Sequence, residues 1–271
     1  MNMNTSIQEH YNAPDIRGRV ENALQAAGLD SQPLEWAQLA PLDQFHVGGL
    51  AATQELARAL KLPDGAKVLD VGSGLGGPAR YLAAACGYQV TGIDLSESFV
   101  EVARMLTERC DLSGRVSFAQ GDALAMPFAD ESFDAAWTQH VAMNISDRQA
   151  LYREIRRVVK PGGSLACYDI TEGNGEPLVF PLPWARTPET SFLLSADAMR
   201  AALEGAGWTV LAWEDVTPAA VAALGAQMAS APSPLNLGVV MGDDFAQSAG
   251  NIGPNVQAGR LHVVQTILRR D

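Results

Sequence analysis

Three aspartates, a cluster of glycines and a histidine carry the chemistry this sequence offers. Asp70 lies in an apolar run of Val68, Leu69 and Val71, and glycines follow at 72, 74, 76 and 77. Asp94 ends a second apolar run, Val90 to Ile93, and Gly121-Asp122 ends a third, Val116 to Ala119. Gln139 and His140 come just after a fourth, Phe133 to Trp137. Glycine lets a backbone approach a ligand with no Cβ in the way. Carboxylates accept hydrogen bonds from hydroxyl and amino donors and attract positive charge. The set therefore suits a cationic ligand rich in OH and NH donors. It is poorly suited to a pyrophosphate, because Asp70 stands two residues before Gly72.

A competing reading stays open on the letters alone. Gly72, Gly74 and Gly77 satisfy G-x-G-x-x-G, with Asp94 at the spacing of a carboxylate on ribose hydroxyls. That is the fingerprint of an NAD(P)-dependent oxidoreductase. A non-catalytic cofactor-binding protein is the other alternative. A dinucleotide has no evident use for Asp70 or for the further carboxylate at Asp122.

His140 is the candidate catalytic residue. Its neighbours Trp137, Val141, Ala142 and Met143 are mostly apolar. Burial there lowers a histidine pKa and keeps the ring neutral. A neutral imidazole accepts a proton from an acceptor OH, NH or activated CH, or it orients the acceptor by a hydrogen bond. The plain alternative is a ring bonded to a nearby carbonyl and turned away. His46 faces the same choice between a ligand and the backbone.

These residues need strand ends to hold them. Short apolar runs alternate with helical patterns five times, from Val68 to Ile170, which predicts a parallel sheet with helices on both faces. Ser96 and Asp147 are natural N-caps for the second and third of those helices, and Ser195 for a later one. Lys160-Pro-Gly-Gly163 predicts a sharp helix stop and a turn into a strand at Ser164. A sixth strand is expected over Trp208–Trp213 and a last one over Arg260–Arg269. Residues 172–194, with four prolines, form a long connection of the kind that is usually functional. Residues 217–259 are rich in Ala, Gly, Pro and Met and read as a helical cap.

Composition bounds the answer. The 271 residues are 47% hydrophobic and 18% charged, enough for one large core. The net charge of −12 argues against nucleic acid, which demands clustered Lys and Arg. Cys86, Cys110 and Cys167 show neither disulfide nor zinc spacing and fit a reducing compartment. No run is apolar enough to span a bilayer. The expectation is a cytoplasmic monomer or homodimer with no membrane partner and no metal.

Taken together, Val-Leu-Asp-Val-Gly-Ser-Gly-Leu-Gly-Gly77, Gly-Ile-Asp94, Gly-Asp122 and Lys-Pro-Gly-Gly163 resemble the class I S-adenosylmethionine-dependent methyltransferases. Asp43-Gln-Phe-His-Val-Gly-Gly49 narrows the resemblance to the sarcosine/dimethylglycine group, related to the ubiquinone/menaquinone and sterol methyltransferases. The resemblance implies an α/β, Rossmann-like sheet of seven strands, the last antiparallel, with helices on both faces and a helical cap. It implies one methyltransferase domain over 1–271, an N-terminal lid over 1–45, and substrate-cap insertions at 172–194 and 217–259.

The resemblance also implies residue roles. Gly72, Ser73, Gly74 and Gly76 would wrap the methionine end of S-adenosylmethionine near Asp70. Asp94, with Leu95 beside it, would take the ribose hydroxyls. Asp122, flanked by Ala123 and Leu124, would reach the adenine. Gln139 would approach the amino-acid moiety, and Tyr11 and Gln44 would close over the site. His46, Met143 and Trp184 join His140 as candidate substrate contacts. Gln139-His-Val-Ala142 lacks the Asn/Asp-Pro-Pro-Tyr pattern of enzymes acting on base or amide nitrogens. The implied acceptor is therefore a small molecule, amine-like or natural-product-like, methylated on N, O or C.

Overall fold

The computed structural model describes residues 15–31, 33–229, 233–242 and 244–271. Helix α1 spans Ile16–Ala26. A single 3-10 turn (Trp36–Leu39) and the short α2 (Ala40–Asp43) lead to α3 (Gly49–Leu60). The alternating core follows: β1 (Lys67–Val71), α4 (Gly77–Cys86), β2 (Gln89–Asp94), α5 (Glu97–Arg109), β3 (Val116–Gln120), β4 (Phe133–Gln139), α6 (Arg148–Val158) and β5 (Val159–Glu172). The chain closes with α7 (Ala196–Gly205), β6 (Trp208–Asp215), the cap helices α8 (Thr217–Ala229), α9 (Gly238–Met241), α10 (Phe245–Gly250) and α11 (Ile252–Gln257), and β7 (Leu261–Arg270).

The seven strands form one sheet in the order β3-β2-β1-β4-β5-β7-β6. β1 to β5 run parallel, and β7 is antiparallel to both β5 and β6. The order reverses at β1 and β4, and ligands of open α/β sheets bind outside the strand ends at such a switch point. The antiparallel β7 wedged between β5 and β6 also departs from the 3-2-1-4-5-6 order of dinucleotide folds.

The expected caps form. The Ser96, Asp147 and Ser195 side chains accept from the N–H groups of Phe99, Ala150 and Ala198. The Lys160-Pro-Gly-Gly163 stretch differs from the expected stop. Val159 leaves α6 directly in extended geometry and pairs with Phe133, so β5 begins there. The register then shifts to Ala135 opposite Ser164, and the four residues are absorbed as an irregularity within the strand.

Residues 16–45 are packed onto the sheet domain through their own apolar cluster. Ile16, Val20 and Leu24 bury against Leu39, Leu42, Phe99 and Leu106. A buried ion pair pins the end of this segment: Arg80 Nη2 lies 2.7 Å from Asp43 Oδ2, with both side chains withdrawn from solvent. Arg80 also donates to the Leu75 and Ala103 carbonyls and to Thr107 Oγ1. Burial pushes the Asp43 carboxyl up to about 6 against the pull of Arg80. Such a pair adds little over an apolar replacement, but removing one partner strands the other charge. Arg80→Met is expected to lower unfolding free energy by about 3 kcal/mol in urea denaturation, with part restored in Asp43→Leu/Arg80→Met. A loss below about 1 kcal/mol would show that the pair is not what anchors Asp43 and the loop after it.

Candidate functional site

The glycine turn between β1 and α4 sits at the switch point and is tied to β2. The Gly72 and Ser73 N–H groups donate to the Ile93 carbonyl at 2.8 and 3.0 Å. Gly72 has φ 71, and a Cβ there would lie 2.4 Å from the Val141 side chain. Gly74 has φ 51 and faces Phe45 at 3.3 Å from where its Cβ would stand. Close approach excludes a side chain at Gly72, and positive φ with a tight contact disfavours one at Gly74. Gly74 N–H donates to Asp94 Oδ2 at 2.8 Å, and Ser96 N–H donates to Asp94 Oδ1 at 2.9 Å. Burial raises the Asp94 carboxyl, opposed by those N–H bonds. The Leu95 N–H bonds the same carboxylate, and a carboxylate has about four acceptor positions, so some capacity remains for a ligand.

A cavity of about 880 Å³ opens over this turn. Its wall includes Gly72, Gly74, Asp94, Leu95, Asp122, Ala123 and Leu124 on the strand-end side. Gln44, His46, Gln139, His140, Met143 and Trp184 also line it. Thirteen of the residues picked from sequence thus meet in one cavity. Asp122 Oδ1 accepts from Leu124 N–H at 2.8 Å, which fixes the turn after β3.

Three picked residues stand behind the wall. Asp70 is buried, its Oδ2 without a partner. Burial and the charge of Asp94 push its pKa up to about 7, against a smaller pull from Arg80. Ser73 is buried with its hydroxyl likewise unpartnered. Gly76 caps α4 at φ 80, and a Cβ there would meet Phe118 and not the cavity. Tyr11 lies outside the described residues.

Gln139, His46 and Gln44 share a partner that sequence reasoning missed. Thr53 Oγ1, fully buried on α3, lies 2.7 Å from Gln44 Oε1, 3.1 Å from His46 Nε2 and 3.2 Å from Gln139 Oε1. The available signal was a lone hydroxyl on the apolar stripe of α3, one turn from Leu56. Gln139 Oε1 also accepts from Trp137 Nε1 at 2.9 Å, and Gln139 Nε2 is buried without a partner. His46 Nε2 bonds the Gly49 carbonyl at 3.0 Å, so that nitrogen serves the backbone. Burial takes the His46 pKa down to about 4 despite that bond.

His140 occupies φ 53, a left-handed conformation uncommon outside glycine. Its N–H donates to the Tyr168 carbonyl at 2.9 Å, and its ring stacks on Tyr168 at 5.5 Å. His46 approaches both rings edge-on, at 6.0 Å from His140 and 5.7 Å from Tyr168. Burial, and then the neighbouring His46, hold the His140 pKa well below 6.5. Its Nε2 is buried and finds no partner. Trp184, by contrast, is spoken for: its Nε1 donates to Ser191 Oγ, and its carbonyl accepts from Asn144. No group of three or more His, Cys, Asp or Glu side chains among the described residues is arranged to hold a metal ion. No helix among them is long and apolar enough to cross a membrane.

Residues 69–167 match the family model of a methyltransferase domain. The methyltransferase GfsG of Streptomyces halstedii is 40% identical over 135 residues, which is 50% of this chain and 49% of that protein. The chain thus spans about half the length of this curated relative. Among solved structures, the [4+2]-cyclase SpnF is similar with a TM-score of 0.63 and 28% identity, over 81% of this chain and 79% of that one. A geranyl diphosphate methyltransferase shares the fold across the whole of both chains, with a TM-score of 0.73 at 16% identity.

Proposed function

We propose that this chain, a member of the class I S-adenosylmethionine-dependent methyltransferases, moves a methyl group onto a small molecule held in the 880 Å³ cavity. The observation that carries the reading is the glycine turn bonded to the Asp94 carboxylate at the floor of that cavity. The residues present fit the cofactor. Gly72 and Gly74 leave room for close backbone approach, Asp94 keeps acceptor capacity for the ribose, and Asp122 offers an acceptor for an adenine amino group. Gln139, whose amide nitrogen has no partner, supplies a donor for a carboxylate.

S-adenosylmethionine, when bound, supplies an electrophilic methyl on a sulfonium that departs as a neutral thioether. The protein's part is to hold the acceptor close and collinear with that methyl, an orientation effect. Phe45, Gln44 and His46 cover the turn and exclude water from it. His140, kept neutral by burial, takes a proton from the acceptor or orients it by a hydrogen bond. Residues 172–194 and 217–259, which contribute Trp184 and the α8 to α11 face to the cavity, form the acceptor side. The free thiols of Cys86, Cys110 and Cys167 support a reducing, cytoplasmic setting.

Likeness to a [4+2]-cyclase favours a second reading, in which the same cavity serves a reaction other than methyl transfer. Calorimetry and a labelled-methyl assay separate the cases. S-adenosylmethionine is expected to bind with one-to-one stoichiometry, NAD to give no heat, and label to pass from the cofactor to an acceptor. Binding of NAD in place of S-adenosylmethionine would overturn the assignment; cofactor binding with no transfer to any acceptor would favour the second reading.

A further inference from the structure

We infer that the acceptor is an uncharged, largely hydrocarbon molecule that brings one polar group to His140, and is neither an amino acid nor a small amine. What the acceptor undergoes rests on the methyl-transfer reading, whereas its chemical class is read from the cavity wall.

The cavity has two unlike ends. Asp94 and Asp122 are the only charged side chains in its wall among the described residues, and both stand at strand ends by the glycine turn. The wall away from those strand ends draws on the 172–194 connection and the cap helices, with Trp184, Leu224, Leu237, Phe245 and Ile252. Its amides are already engaged: Asn144 Nδ2 donates to the Trp184 carbonyl and Asn236 Nδ2 to the Ser233 carbonyl, each at 2.8 Å. His46 and His140, between the two ends, are held neutral by burial.

Such a wall selects by charge and by size. With the cofactor on Asp94 and Asp122, a zwitterion or an ammonium ion against the rest of the wall loses hydration and meets no counter-charge, and unpaired buried charge is among the most costly arrangements in a protein. A hydrocarbon body gains instead, by about fourfold in affinity for each methylene fully buried. The volume, about 880 Å³, lies near the top of the range for ligand pockets, which leaves space for an acceptor beside a cofactor. His140, whose Nε2 has no partner, is an uncharged group in this wall that a single hydroxyl or similar group can satisfy.

The test uses the full chain, with and without saturating S-adenosylhomocysteine, titrated with 4-ethyl-, 4-butyl- and 4-octylphenol and with sarcosine and dimethylglycine. Affinity is expected to rise at least roughly tenfold from butyl to octyl, and the two amino acids are expected to give no binding. Ala249→Phe, which narrows the apolar end, is expected to weaken octylphenol at least roughly tenfold, an effect of the size seen for overpacked sites, while S-adenosylhomocysteine affinity stays unchanged. Binding of sarcosine or dimethylglycine, or a flat response to alkyl length, would overturn the inference. Alkylphenol binding by a protein that ignores S-adenosylhomocysteine would uphold the ligand class and overturn the methyl-transfer reading instead.

Discussion

His140→Ala is expected to lower turnover by roughly 10²–10⁴ if the imidazole takes the acceptor proton, and by less if it only orients the acceptor. Cofactor affinity should stay nearly unchanged, because Asp94, Asp122 and the glycine turn are built without it. The ring stacks on Tyr168 at 5.5 Å and is held neutral, so it is available as a proton acceptor at physiological pH. The backbone holding it is strained at φ 53, and such strain at a bulky residue costs about 1–3 kcal/mol. Alanine is also disfavoured there, so His140→Asn is the better control, since Asn tolerates the left-handed region. Both variants should lose turnover and retain cofactor binding. The pH profile gives a second readout. The competent form is the neutral one, and its folded pKa lies well below 6.5. The limb set by His140 should therefore be flat from about pH 6.5 upward and fall only in acid. Near-normal turnover in His140→Asn, or a limb centred at the ordinary imidazole pKa, would remove His140 from the mechanism.

The parts of this site that were legible in the sequence are the ones encoded locally. A strand end, a glycine turn and a carboxylate are adjacent in the chain, so Gly72, Gly74, Asp94 and Asp122 could be named from spacing. His140 followed from its place just after β4. The sheet was legible for a similar reason, because alternating apolar runs and capped helices are local patterns. What escaped was set by contacts between distant residues. Thr53 joins Gln44, His46 and Gln139 across 86 positions of sequence, and nothing near residue 53 announces that. The Asp43–Arg80 pair spans 37 positions. Gly76 closes the turn, its N–H donating to the Ser73 carbonyl at 2.8 Å, and its packing against Phe118 and Arg80 is set by residues distant in sequence. The Lys160-Pro-Gly-Gly163 stretch carries every letter of a helix stop, yet pairing of Val159 with Phe133 draws it into the sheet. Local signals gave the type of each element; partners chosen across the sheet decided its exact bounds.

Asp94→Ala is expected to weaken S-adenosylmethionine by roughly 10²–10⁴, since two hydroxyls each lose a charge-assisted bond of about 1.5–3 kcal/mol. The upper figure assumes full loss of both bonds; water entering the gap would bring it down toward the lower one. Part of the effect is structural. Asp94 also accepts from Gly74 N–H and Ser96 N–H, so its removal loosens the turn and the start of α5 even without ligand. That component is measured separately, as the drop in unfolding free energy of the cofactor-free protein, expected at about 1–2 kcal/mol for two lost acceptor contacts. Asp94→Asn divides the two further. Its amide keeps one acceptor oxygen, but its NH₂ would face either the Gly74 or the Ser96 donor, so it should regain little affinity. Calorimetry at a temperature where both variants stay folded gives the dissociation constants. If Asp94→Ala binds S-adenosylmethionine as the parent does, the carboxylate serves the turn alone and the ribose must be held elsewhere.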